Sequence, residues 1–285
     1  MAISGATAMN FSFYRSLGVE DPVWNHGSLD MQIQWFEELI PSICGSETKQ
    51  SNCKEFLAKT LFQFGGFGGK DYNIQLLELG WTPEQTMKNT PIIINATVNG
   101  IGRLIALGPV HIVVPGILPT GFLPLFLTFF AGSFSETDFD QYGRLKSYNR
   151  LTQCHSSMLR KQVQILQGKY RSTRIMYADY YSQVYQMVQH PHKFVGFSNP
   201  FETCCGAGGG KYNFDGTARC GMPGATTACR DPSARVSWDG IHPTEAANKM
   251  IADAWLNGPL LHPAYFELKQ IIRYRSKEHG DQMQK

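Results

Sequence analysis

The sequence has 285 residues, which is enough for one large domain or two small ones and excludes a disulfide-stapled miniprotein. Charged residues make up 17% of the chain, against about 25% in an average globular protein, and 42% is apolar, so the composition excludes a disordered chain. The net charge of +3 comes from 26 basic and 23 acidic residues that are interleaved, so no nucleic-acid-binding surface is expected.

The first predicted helix begins after Ser28, and Pro41 is expected to stop it. Its buried face is predicted to consist of Met31, Trp35, Phe36, Leu39 and Ile40. A second helical stretch around Phe56 leads into a short apolar strand over residues 61–64. The strand ends at a glycine-rich loop with the sequence GGFGGKDYN.

A capping box predicts the next helix start. Thr82 is the N-cap, a proline follows at the first helical position, and Gln85 lies three residues after Thr82. Pro91 is expected to break or kink this helix, and the helical period then continues to Gly108. A buried strand over residues 110–114 comes next.

Residues 104–135 form the longest stretch without a formal charge, and its centre is long enough to suggest a membrane span. Four prolines argue against a span, because each would remove a helical hydrogen bond that lipid cannot replace. They are Pro109, Pro115, Pro119 and Pro124. The segment after the strand is therefore expected to be an irregular apolar loop, and no transmembrane segment is expected.

A long helix, a strand and a final helix complete the predicted elements. The long helix is expected to bury Leu145, Tyr148, Leu151, Met158, Leu159, Ile165 and Leu166. The strand covers residues 174–178, and the last helix begins at Pro243 and ends at Asn257. Alternating strands and helices predict a parallel sheet with helices on both faces. Because no linker or repeat divides the chain, residues 1–285 are interpreted as a single domain.

Seven cysteines indicate an oxidising compartment. Six lie in glycine-rich or polar segments and are expected to form three disulfides of unassigned connectivity: Cys44, Cys53, Cys204, Cys205, Cys220 and Cys229. Cys154 remains as a free thiol in a helical pattern. No Cys-x-x-Cys pair exists, so a zinc site is not expected. Asn10 and Asn95 begin glycosylation sequons, which agrees with a secreted glycoprotein.

Ligands of open parallel sheets bind beyond the carboxyl ends of the strands, which directs attention to loops 65–73 and 237–247. In the second loop Asp239 precedes His242 by three residues, so the carboxylate can hold one ring nitrogen and leave the other as a base. The positive end of the helix that opens at Pro243 is expected to disfavour the imidazolium form. Taken alone, this pattern favours a structural N-cap over a catalytic pair.

Five segments in order carry a resemblance to the plant GDSL esterase/lipase family, a group of SGNH-type serine hydrolases. AISGATAM resembles the family's second block, GGKDYN the third, VPGILPTG the fourth, and SWDGIHPTEAA the final block. CCGAGGGKYNF, with the later AC-x-DPS, resembles the cysteine loop that precedes the final block. The resemblance covers essentially the whole chain.

The resemblance implies a flavodoxin-like three-layer α/β/α fold with a parallel sheet and ester hydrolysis by a serine nucleophile. Asp239 and His242 match the acid and base of the catalytic triad, and Gly5 matches the oxyanion-hole glycine. No cofactor and no metal are implied. The expected partner is a small acyl ester, and the expected location is extracellular, although the chain as given carries no signal peptide.

The chain also departs from the family pattern. The Phe-Gly-Asp-Ser-Leu block with the nucleophile is absent, and we expect the central first strand to be missing with it, so that the chain is impaired and unstable. Lys70 stands at the usual oxyanion asparagine. It is interpreted as a solvated loop charge in preference to a displaced donor or a sequence error. Phe122 and Arg144 stand where family members commonly carry a cysteine pair.

Two alternatives to an esterase remain open at this stage. A non-catalytic descendant could keep the cleft for binding, which would fit the missing nucleophile. The spacing of His190 and His192 could bind a metal, but no third ligand lies nearby, and a surface turn is the preferred interpretation. His155 on the long helix is expected to be half-buried with its hydrogen bonds satisfied.

Overall fold

The computed structural model describes residues 3–19, 27–44, 50–194, 196–207 and 209–263. Contacts within the chain divide it into two compact units. The first unit consists of residues 1–121 and 136–177, and the second consists of residues 122–135 and 178–285. The single-domain interpretation of residues 1–285 stays a prediction.

The first unit contains most of the helices and three strands. Its helices are α1 (Phe11–Ser16), α2 (Leu29–Cys44), α3 (Gln50–Lys59), α4 (Gly69–Asn73), α5 (Pro83–Met87), α6 (Thr90–Ala106) and, after α7 of the second unit, α8 (Lys146–Lys169). Its strands are β1 (Leu61–Gln63), β2 (His111–Pro115) and β3 (Arg174–Ala178), whose last residue belongs to the second unit. A π-helical turn, Ile74–Glu78, continues α4.

The strands of the first unit form a sheet in which β2 lies between β1 and β3. β1 and β2 are parallel, with Leu61 opposite His111. The N–H of Arg174 donates to the carbonyl of Val110 at 2.6 Å, which aligns the start of β3 with β2. Strands β2 and β3 are mostly buried, as continuous apolar runs in parallel sheets usually are. The predicted α/β fold is confirmed.

The capping box predicted at Thr82 is present. Thr82 accepts from the N–H of Gln85 at 3.2 Å, and the Gln85 side chain accepts from the N–H of Thr82 at 2.8 Å, so the predicted capping box opens α5. Pro91 neither breaks nor kinks α5, because α5 ends at Met87 and Pro91 lies in the first turn of α6. A proline fits there because the first helical N–H groups have no intrahelical acceptor.

Two predictions about helix α2 are wrong. Pro41 does not stop the helix, which continues to Cys44 with the proline inside its last turn. Its buried residues are Leu29 and Ile33, whereas Leu39 is exposed. A proline removes only one N–H donor, so the three residues after Pro41 can still continue the helix. The helix then ends at Cys44, which forms a disulfide.

The uncharged segment 104–135 forms several short elements. Helix α6 ends at Ala106, β2 follows, and α7 (Pro124–Phe129) stands where an irregular loop was expected. Pro124 begins α7 at a position where the missing N–H costs nothing. Among the described residues, no helix combines the length and the apolarity that crossing a membrane requires.

The second unit holds α7, α9 (Tyr180–Gln189), α10 (Glu245–Asn257) and the short strand β4 (Leu261–His262). The N–H of Asp179 donates to the carbonyl of Leu260 at 2.8 Å, just before β4. Helix α10 begins two residues later than predicted, because Thr244 is its N-cap and accepts from the N–H of Ala247 at 3.2 Å.

Three disulfides are present, as predicted from the cysteine count. Cys44 pairs with Cys53 in the first unit. In the second unit Cys204 pairs with Cys229, and Cys205 pairs with Cys220. Cys154 on α8 is the free thiol, and its partial burial raises its pKa, so its reactive thiolate form is disfavoured.

Candidate active site

The loop 237–243 of the second unit is held by backbone hydrogen bonds to the segment that carries two disulfides. The N–H of Cys204 donates to the carbonyl of Ser237 at 3.1 Å, and the N–H of Cys205 donates to the carbonyl of Trp238 at 2.6 Å. Trp238 in turn donates to the carbonyl of His242 at 2.8 Å, which closes the loop. The two disulfides therefore fix the segment to which this loop is hydrogen-bonded.

Asp239 and His242 form a tight pair within that loop. Oδ1 of Asp239 accepts from the backbone N–H of Ile241 at 3.0 Å and of His242 at 2.7 Å. Oδ2 lies 2.7 Å from Nδ1 of His242. The His242 side chain is 59% exposed and that of Asp239 is 23% exposed. The carboxylate thus fixes the ring through Nδ1 and leaves Nε2 to exchange a proton with another group.

The pair also changes the protonation behaviour of both residues. Burial raises the pKa of Asp239, but the hydrogen bonds from His242 and its charge outweigh burial and hold this pKa below its usual value. The hydrogen bond to Asp239 raises the pKa of His242 against the opposing effect of burial. The expected depression of the His242 pKa by the helix is therefore wrong, because the carboxylate is in direct contact whereas α10 begins only at Glu245.

A histidine titration tests this coupling. In residues 1–285, the NMR titration midpoint of the His242 ring is expected to lie above about 6.5, and Asp239→Asn is expected to lower it. Because only the neutral ring accepts a proton, any base activity of His242 should fall as the pH drops through the raised pKa. Asp253→Asn, which removes an exposed carboxylate from α10, is the matched control and should leave the midpoint unchanged. If the midpoint of His242 is the same in the Asp239→Asn protein as in the unsubstituted protein, the two residues are not coupled.

Gly5 lies in the first unit, in a turn that only a glycine adopts easily. The N–H of Ala6 donates to the carbonyl of Ile3 at 3.3 Å, and Gly5 has a φ of 71°. Other residues are strained at such positive φ values, so the turn requires glycine at this position. The segment that follows is held to the start of α2, where the N–H of Leu29 donates to the carbonyl of Thr7 at 2.8 Å.

Lys70 lies in the first turn of α4 and has an acidic partner. Its Nζ is 3.4 Å from Oε1 of Glu78, and the Lys70 side chain is only 20% exposed. The predicted loop charge is therefore a partly buried, paired charge. The pairing directs the ammonium group to the π-helical turn Ile74–Glu78.

Asp71, next to Lys70, is a site residue that the sequence analysis missed. It is fully buried and accepts hydrogen bonds from four groups. The donors are the backbone N–H of Ala8 at 2.9 Å, of Met9 at 3.0 Å and of Gly68 at 3.1 Å, and the hydroxyl of Tyr14. Burial raises the pKa of Asp71, although every one of these donors lowers it. One local pattern could have indicated Asp71. It lies three residues after Gly68, the N-cap of α4, which is where the acidic residue of a capping box stands.

His155 differs from its prediction as a half-buried residue with satisfied hydrogen bonds. It is fully buried, and burial lowers its pKa to about 3. Nδ1 lies 2.9 Å from the hydroxyl of Tyr72, while Nε2 has no hydrogen-bond partner in the part of the chain that the structure describes. A neutral ring packed inside the first unit explains why this histidine is not a second candidate base.

The described residues contain no group of three or more His, Cys, Asp or Glu side chains that could hold a metal ion. His190 lies between the last residue of α9 and a 3₁₀ turn over Pro191–Lys193. This turn agrees with the surface turn that was preferred for the segment containing His192.

The mixed α/β fold carries an aspartate-oriented histidine in the loop before α10, and serine hydrolases use a pair of this kind as acid and base. Residues 1–255 match the family described as GDSL-like lipase/acylhydrolase, and the chain belongs to this family. Ester hydrolysis is the activity that this membership supports.

Curated plant proteins are similar over most of the chain. A GDSL esterase/lipase of Arabidopsis thaliana is 36% identical over 93% of this chain and 70% of its own length. Another from the same plant is 38% identical, over 93% of this chain and 67% of its own length. The sinapine esterase of Brassica napus is 37% identical over 93% of this chain and 66% of its own length. The chain thus spans about two thirds of the length of these relatives.

Proposed function

We propose that this protein hydrolyses small carboxylic esters by a serine-nucleophile mechanism in which Asp239 is the orienting acid and His242 is the general base. The observation that carries the proposal is the 2.7 Å contact between Oδ2 of Asp239 and Nδ1 of His242. This contact selects the tautomer whose Nε2 is a proton acceptor, and Nε2 belongs to a ring that is more than half exposed.

In the proposed reaction, Nε2 of His242 takes the proton of the nucleophile as the serine oxygen bonds to the acyl carbon. Asp239 stabilises the imidazolium that forms, and the imidazolium then protonates the leaving alcohol. A water molecule, deprotonated by the same ring, completes hydrolysis of the acyl-enzyme. The backbone N–H of Gly5 is assigned to the oxyanion hole, and Lys70 holds the place of a second donor. The reaction needs no cofactor.

The nucleophile is the open part of this proposal. No serine of the 285 residues lies in a Phe-Gly-Asp-Ser-Leu block. Ser4 and Ser12 are exposed and outside any such motif, and the buried Ser237 hydroxyl accepts from the N–H of Gly240 at 3.1 Å. We therefore propose that residues 1–285 alone are strongly impaired, by about a millionfold in turnover for a missing triad serine.

The substrates proposed are small acyl esters of alcohols, phenols or acetylated saccharides. A secreted protein fits the three disulfides, because such bridges persist in oxidising compartments.

The test compares p-nitrophenyl acetate hydrolysis by residues 1–285 with that by the same residues preceded by a segment that carries the Phe-Gly-Asp-Ser-Leu block. We expect little hydrolysis from the first protein and clear turnover from the second. Lys70→Asn in the second protein should raise the rate further, by up to about a hundred- to a thousandfold. A Ser→Ala change in the added block is the control and should abolish the gain.

A non-catalytic binding protein is the second candidate, and the Lys70–Glu78 ion pair favours it because this pair occupies the position of an oxyanion donor. The same experiment separates the two functions. If the protein with both the added block and the Lys70→Asn substitution folds but does not hydrolyse the ester, the esterase proposal is wrong and binding is favoured.

A further inference from the structure

We propose that Asp71 is a positioning residue that holds the Gly5 segment of the oxyanion hole in register with the loop that carries Lys70. The inference rests on the proposed function, because Gly5 has its catalytic role only there. Asp71 itself is fully buried and is not expected to touch the substrate.

The carboxylate joins segments that are far apart in the sequence. Ala8 and Met9 lie 63 and 62 residues before Asp71, and their backbone N–H groups donate to its two oxygens. The N–H of Gly68 donates to the same oxygen as that of Ala8. The carboxylate therefore bridges the chain just after Gly5 to the loop just before Lys70.

An ionised carboxylate satisfies all four of these donors. A carboxylate offers acceptor sites on both oxygens and no donor of its own. Three backbone N–H groups and the hydroxyl of Tyr14 fill those sites. An asparagine at this position would turn its NH₂ group towards at least one of the three backbone N–H groups and leave that donor unpaired, which is costly in a buried site.

The loop is also fixed on another side, so it cannot shift to follow the Gly5 segment. Gly68 has a φ of 113°, and a Cβ there would lie 2.5 Å from Cε1 of His155. The hydroxyl of Tyr72 lies 2.9 Å from Nδ1 of the same ring and 3.3 Å from Oγ1 of Thr90. These contacts fix α4 against α8 and α6. Asp71, which belongs to α4, therefore determines where residues 8 and 9 lie relative to α4.

A small loss of register should therefore affect the rate more than substrate binding. Displacing a reacting or stabilising group by about 1 Å can cost about a hundredfold in rate. In the esterase that carries the added nucleophile block, we expect Asp71→Asn to lower kcat by about ten- to a hundredfold and to change KM by less than about threefold. Tyr14→Phe removes the hydroxyl that holds Oδ1 of Asp71 and so loosens the carboxylate that the three backbone N–H groups bind. It should have a smaller effect in the same direction.

Leu151→Ala is the matched control for lost stability. Leu151 is fully buried on α8, and truncating such a leucine leaves a cavity that destabilises the fold. Under conditions where each protein is folded, this control should keep kcat unchanged. If Leu151→Ala lowers kcat as much as Asp71→Asn does, or if Asp71→Asn keeps the original kcat, Asp71 is a structural residue and the inference is overturned.

Amide hydrogen exchange tests the inference independently of turnover and of whether Asp71→Asn folds. In residues 1–285 with Tyr14→Phe, the amides of Ala8 and Met9 should exchange at least about tenfold faster, while that of Ile101 in α6 should not change. Unchanged exchange at residues 8 and 9 would overturn the inference. Absence of hydrolysis in the folded protein with the added block and Lys70→Asn would instead refute the proposed function, and the exchange result would still decide the role of Asp71.

Discussion

Replacing His242 with alanine is expected to lower kcat by about a millionfold in the protein that carries the added nucleophile block. The reason is that no other described group holds the position that Asp239 gives to this ring, with Nδ1 bound at 2.7 Å. Asp239→Asn keeps a hydrogen-bonding side chain but favours the wrong tautomer, and a loss of about ten-thousandfold is expected. Steady-state kinetics with p-nitrophenyl acetate measure both effects.

The control for this prediction is His190→Ala. His190 is an exposed histidine at the end of α9, in the same unit as His242, and its removal should leave kcat unchanged. An active His242→Ala protein would show that another base serves the reaction and would remove the central residue from the proposed mechanism.

Replacing Arg144 with alanine is expected to lower the free energy of unfolding by about 3–5 kcal/mol. The Arg144 side chain is 1% exposed, and its Nη2 lies 2.6 Å from Oδ2 of Asp140. Asp140 also accepts from the backbone N–H of Tyr142 and of Arg144. Removing the guanidinium leaves the carboxylate without its counterion and opens a cavity. Urea unfolding of residues 1–285 measures the change.

Arg103→Ala is the matched control, because Arg103 pairs with Asp30 at 3.0 Å with both side chains largely exposed. Exposed pairs of this kind contribute about 0–1 kcal/mol, so the control should be nearly neutral. Equal effects of the two substitutions would show that the buried pair adds nothing to stability. A strong effect would mean that an ion pair stabilises the position where the family resemblance leads one to expect a cysteine.

Features that depend on neighbours in the sequence were predictable. The capping box at Thr82 and the bounds of β3 were correct, because both depend on side chains and apolar runs within a few residues. The Asp239–His242 contact belongs to the same group, since a spacing of three residues already brings the two side chains together in a turn. The cysteine count predicted three bridges, although the pairing itself came only from the structure.

Features that depend on distant parts of the chain were missed or misjudged. Asp71 meets donors more than 60 residues away, and no local pattern shows them. The buried position of His155 likewise depends on Gly68 and Tyr72, which approach α8 from another part of the chain. The raised pKa of His242 was misjudged because the carboxylate contact outweighs the helix end that the sequence suggested.

The residues alone were therefore sufficient to determine the α/β class, the family and the contact between Asp239 and His242, because periodicity, motif order and short spacing are all local properties of the sequence. The tertiary structure decided which polar groups are buried and which hydrogen-bond partners and counterions they have. It also decided how the Gly5 and Lys70 segments are joined. The physical reason is that desolvation and hydrogen bonding depend on every atom around a group, and three of the four donors to Asp71 come from residues that lie 57 to 63 positions away.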